Sequence, residues 1–115
     1  MSAVLPDPQL GVAVCAALRE QVSRLGLSIG DEPRWVEAVV EEKRDPFSRE
    51  LSLLAVWRGK TRDGSINFFP DGRVFAEYQV LLPHPQRAGF YVEAVQVWGR
   101  AGQLRGDAVI AEFAA

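Results

Sequence analysis

Between Leu10 and Leu25 the apolar positions recur with the period of an α-helix. Leu10, Val14, Leu18, Val22 and Leu25 share one arc at about 100° per residue, with Cys15 on its flank. Arg19, Glu20 and Ser23 lie elsewhere on the wheel, and Gln21 is the one polar residue inside the arc. Asp7 stands where an N-cap accepts a bond from an otherwise unpaired N–H, and Pro8 suits the first helical position. Gly26 is a natural stop. The pattern predicts one helix near 8–25 with a single face to bury.

Past Gly30 the period shortens to two. Residues 34–43 alternate apolar and charged, and 44–49 turn the chain. Residues 50–62 are apolar on both faces for much of their length, as a central strand is. Asp63-Gly64 reads as a hairpin turn before a strand at 65–69, and Pro70-Asp71-Gly72 as a second turn. Residues 73–82 alternate again, and 83–89 form a longer bend. Residues 90–100 and 103–113 make a last hairpin through Ala101-Gly102, with Gly106 marking a bulge. The connections are too short for parallel crossovers. The expected fold class is α+β: one N-terminal helix packed on a curved, mostly antiparallel sheet of five to six strands in meander order, as one domain over 1–115. In shape alone this order resembles the cystatin-like and NTF2-like folds, in which a curved sheet wraps a helix.

One helix covers one sheet face. Val74, Ala76, Tyr78 and Val80 suit the helix side and are expected to be buried with Leu10, Val14, Leu18 and Val22. The opposite row is Phe75, Glu77, Gln79 and Leu81. In 34–43, Val36, Ala38 and Val40 suit the core, with Trp35, Glu37, Val39 and Glu41 opposite. Strand 90–98 offers two apolar rows, so its facing is ambiguous. With its second row outward, the outer face carries Trp35, Val39, Phe75, Leu81, Tyr91 and Val95 among Glu37, Glu41, Glu77 and Glu93. Such a face is too apolar for plain solvent and too acidic for a core. It lines a pocket, meets a partner, or is ordinary scattered surface.

Charge and chemistry narrow the function classes. The 115 residues carry a formal net charge of -2, which gives no pull toward nucleic acid. Arg58, Lys60, Arg62 and Arg73 gather near two turns, but Asp63 and Asp71 halve that charge, so nucleic acid is not the expected partner. Cys15 is the only cysteine, which rules out an intrachain disulfide and a thiolate metal site. No apolar run approaches ~18 residues, and the start lacks a basic leader, so a cytoplasmic setting without membrane contact is expected. No cofactor motif and no nucleophile–base pair stand out.

Glu77 and Glu93 could pair as carboxylates on neighbouring strands; the plainer reading is two solvated acids. His84, between Pro83 and Pro85, sits in a stiff extended bend that loses little entropy on making a contact. The leading expectation is a non-enzymatic interaction or regulatory module that binds a protein partner, or itself as a homodimer, through the open sheet face. Its interaction candidates are Trp35, Phe75, Glu77, Leu81, His84, Tyr91 and Glu93. The competing class is a small-ligand-binding or enzymatic domain with an NTF2-like pocket, in which Glu77 or Glu93 acts as base.

Overall fold

The structure is a computed structural model that describes residues 7–59 and 61–113. Helix α1 spans Pro8–Arg24. The Asp7 side chain accepts a 2.9 Å bond from the Gln9 amide, and Gly26 leaves the helix at φ 76°. Six strands follow: β1 (Val39–Arg44), β2 (Leu51–Arg58), β3 (Asp63–Phe68), β4 (Val74–Pro83), β5 (Phe90–Arg100) and β6 (Gln103–Glu112). They form one antiparallel sheet in the order β1-β2-β3-β4-β5-β6, an open meander and not a closed barrel. The α+β class read from the sequence is the observed one.

Helix α1 lies over β4, β5 and β6. Val14, Cys15, Leu18 and Val22 are buried there, while Leu10 and Leu25 are only partly covered. Gln21, the polar residue of the apolar arc, lies against Gly106 of β6. A Cβ at Gly106 would come within 2.5 Å of Gln21 Nε2. The glycine makes room for a helix residue, and the β5–β6 register runs through it without a bulge. The remaining inner surface, over β2 and β3, is covered by the segment that leaves the helix. Ile29 and Pro33 are buried in it, and Arg19 Nη1 donates to the Pro33 carbonyl at 2.8 Å.

That segment also corrects the first predicted strand. Trp35–Glu37 form a short 3₁₀ turn, and the strand begins only at Val39. Trp57 Nε1 donates to the Arg34 carbonyl at 2.8 Å, and the Trp35 ring meets Phe68 edge-on at 5.8 Å. These contacts commit Trp35 to the helix side, not to the outer row expected of it. Gly11 permits this, because a Cβ there would lie 2.5 Å from the indole.

The Asp63-Gly64 hairpin signal is misplaced too. Both residues are already in β3, where Asp63 pairs with Arg58 and Gly64 with Trp57. The chain reverses after β2, where Gly59 N–H donates to the Arg62 carbonyl at 3.0 Å; Lys60 lies outside the described residues. Gly64 is required for packing: the Tyr78 ring occupies the space a side chain would need.

The ambiguity of 90–98 has a physical cause. The β4–β5 register shifts between Gln79 and Leu82, where Leu81 takes φ 55°, and the β5–β6 register shifts between Val92 and Ala94. Glu93 stands at the irregularity, so the side-chain alternation changes phase there. Val92, Val95 and Val97 are all buried on the helix side; Val95, expected outward, is in the core.

Candidate interaction face

The face of the sheet turned away from α1 is read from the pairing register. One row across all six strands is Glu41, Leu54, Asn67, Phe75, Trp98 and Arg105. The next is Val39, Val56, Ser65, Glu77, Gln96 and Asp107. Further along β4 and β5 come Leu81, Pro83 and Tyr91. The Phe113 ring lies 5.1 Å from that of Tyr91, and these residues with Leu82 border an apolar hollow of about 320 Å³. Phe75 is 38% exposed, Leu81 49% and Phe113 50%.

Two of the acids on this face are engaged by neighbouring side chains. Gln96 Nε2 donates to Glu77 Oε2 at 2.7 Å, and Arg58 Nη1 stands 3.1 Å from Glu41 Oε1. Glu77 faces Gln96, three residues along β5 from Glu93, which is roughly 10 Å at strand rise. The structure therefore brings Phe75 and Glu77 onto one face, with Leu81 and Tyr91 further along it, but does not join Glu77 and Glu93 as a carboxylate pair. The hollows of about 190 to 560 Å³ on the surface are lined by residues other than these two acids.

His84 serves the bend. Its amide donates to the Phe90 carbonyl at 2.9 Å, and its Nδ1 accepts from the Gln86 amide at 3.1 Å. Arg87 lies 4.3 Å over the Phe90 ring and completes the same corner.

The basic cluster near the turns is largely neutralised within the chain. Arg58 pairs with Glu41, Arg62 with Asp31 at 2.7 Å, and Arg73 with Asp71 at 2.6 Å. Among the described residues no group of three or more His, Cys, Asp or Glu is placed to hold a metal ion. No described helix is long and apolar enough to cross a membrane.

Sequence reasoning missed one polar cluster. Asp31 Oδ2 accepts from the Thr61 hydroxyl at 2.8 Å, and its Oδ1 from Arg62. Arg62 Nε also donates to the Val80 carbonyl at 3.1 Å, and the Tyr78 hydroxyl donates to the Asp31 carbonyl at 2.5 Å. Burial, then the Asp31 charge, push the Tyr78 phenol up to about 12, so it stays a donor at neutral pH. Both Asp31 oxygens are occupied, which makes this a clasp between the pre-β1 segment, the β2–β3 connection and β4. Its members lie too far apart in sequence for any spacing to reveal it.

No protein-family model matches this chain, and neither the curated proteins nor the solved structures provide a match to it.

Proposed function

We propose that this chain is a non-enzymatic protein-interaction module that binds through the open sheet face. One observation carries the reading. The described residues cover a single face of a six-stranded sheet and leave Phe75, Leu81 and Phe113 well exposed on or beside the other, with Trp98 half-buried beside Phe75 and Tyr91 half-buried beside Phe113. Aromatic and aliphatic side chains of this size give up a large area to a partner, and they dominate interface energetics. Ser65, Asn67 and Gln96 are interspersed on the face and supply hydrogen-bonding groups there. Glu77, held by Gln96, presents a bonded carboxylate instead of a bare charge, which lowers the cost of covering it. The lone buried thiol suits a reducing, cytoplasmic setting.

The test compares Phe75→Glu with Ala13→Glu, a control on the solvent side of α1. A partner or second copy bound by the native chain and by Ala13→Glu, and lost on Phe75→Glu, is the expected result. Binding indifferent to Phe75→Glu places the interface elsewhere.

A further inference from the structure

We infer that the occupant of this face is a second copy of the chain, the two sheets packing face to face about a two-fold axis parallel to their strands. The inference rests on the open-face reading above and adds an occupant and a geometry to it.

The order of residues across the sheet supports the pairing. A two-fold axis between β3 and β4 lays β1 on the partner's β6, β2 on its β5 and β3 on its β4. The first row then opposes its own reverse. Glu41 meets the partner's Arg105, Leu54 meets the partner's Trp98, and Asn67 meets the partner's Phe75. In the second row Val39 meets the partner's Asp107, Val56 the partner's Gln96, and Ser65 the partner's Glu77. In these two rows no acid faces an acid and no base faces a base. Every contact occurs twice, as an isologous interface requires.

The orthogonal choice is worse. An axis running across the strands along the second row stacks Glu77 on the partner's Glu77 and Asp107 on the partner's Asp107. Moving that axis half-way to the first row sets Phe75 against the partner's Glu77. Like charges face to face and an aromatic ring over a carboxylate both weaken association. With the axis along the strands, Trp98 meets the larger Leu54 of the partner.

The size is sufficient. Six strands at about 4.8 Å spacing give about 29 Å of width, and β1, β2 and β3 overlie the partner's β6, β5 and β4 for about six residues, about 20 Å of length, with Leu81, Tyr91 and Phe113 beyond the overlap. That is roughly 580 Å² of flat face per chain, or ~1,160 Å² for the pair, above the ~1,000 Å² a specific interface needs. Sheets packed face to face keep their strands within about 30° of one another, which this axis allows.

The experiment is solution mass by light scattering and sedimentation for the native chain, Phe75→Glu, Glu41→Arg and Arg105→Glu, each checked for native circular dichroism. The native chain is expected to be a dimer that Phe75→Glu dissociates. Glu41→Arg and Arg105→Glu, each alone, set like charges across both ends of the interface and raise the dissociation constant roughly tenfold. Mixed in equal amounts they restore both opposite-charge contacts, so a heterodimer near native affinity is expected. Failure of the mixture to recover overturns the proposed geometry. A native chain that stays monomeric to roughly 1 mM overturns the second copy as occupant, while the effect of Phe75→Glu on another partner still decides the open-face reading. A native dimer untouched by Phe75→Glu overturns both.

Discussion

Arg62 closes an ion pair at 2.7 Å with Asp31, 31 residues earlier in the chain, and so ties the segment beneath the sheet to the β2–β3 turn. The Arg62 side chain is 14% exposed and that of Asp31 38%. Solvent screens the pair on the Asp31 side, so Arg62→Ala is expected to cost only about 1 kcal/mol, mainly through the lost bonds to Asp31 and the Val80 carbonyl. Urea unfolding measures it, and no change in midpoint would show the clasp to be idle.

The same contact predicts an acid dependence. Loss of water, the largest single influence, raises the Asp31 pKa. The bonds from Thr61 and Arg62, a bond from its own backbone amide and the Arg62 charge together outweigh it, leaving the carboxyl below its usual 3.8. A depressed folded pKa means that the stabilisation is fully present above 3.8 and disappears as pH falls through the folded value. The urea midpoints of the native chain and Asp31→Asn should therefore differ by a constant amount near neutrality and converge in acid. A gap that stays constant to the lowest pH would contradict this account.

Leu18 is fully buried on α1 over the sheet. Leu18→Ala is expected to lose about 2–5 kcal/mol, from transfer and from the cavity left behind. A loss below about half a kcal/mol in denaturant unfolding would be inconsistent with this packing.

Two glycines should separate sharply on substitution. At Gly64 a methyl group meets the Tyr78 ring and the Glu77 carbonyl oxygen, neither of which yields easily. At Gly106 it meets the end of Gln21, a flexible side chain. Gly64→Ala is expected to cost about 1–3 kcal/mol by overpacking, and Gly106→Ala clearly less. Thermal melts of the two variants check the order; the reverse order would mean that the helix, not the Tyr78 ring, is the rigid neighbour.

Burial pushes the Cys15 thiol up to about 11, against a smaller lowering by Arg19. The thiolate is the reactive form. At pH 8 the folded chain should react with a thiol reagent far more slowly than the urea-unfolded chain. Equal rates would put Cys15 at the surface.

The helix, the meander order and the helix-side row of β4 were legible in the sequence because each is a local pattern. Asp7 and Pro8 mark a start, Gly26 a stop, and Val74, Ala76, Tyr78 and Val80 alternate without interruption. The outer face was legible where alternation held, at Phe75 and Glu77. It was misread where alternation broke, at Val95 beyond the Glu93 irregularity, and where a residue left the strand altogether, at Trp35. Trp98 was missed as a face residue because the phase change hides its side.

By itself the sequence determined the fold class, since hydrophobic period and turn chemistry act over a few neighbouring residues and need no distant partner. Tertiary structure alone decided three things: which glycine makes a turn and which makes room for a ring, where the strand phase shifts, and which charges are already paired. Each of these depends on an atom brought near by folding. Asp63-Gly64 is a good turn signal, yet the Tyr78 ring, fourteen residues beyond Gly64, claims the space beside that glycine and holds both residues in the strand.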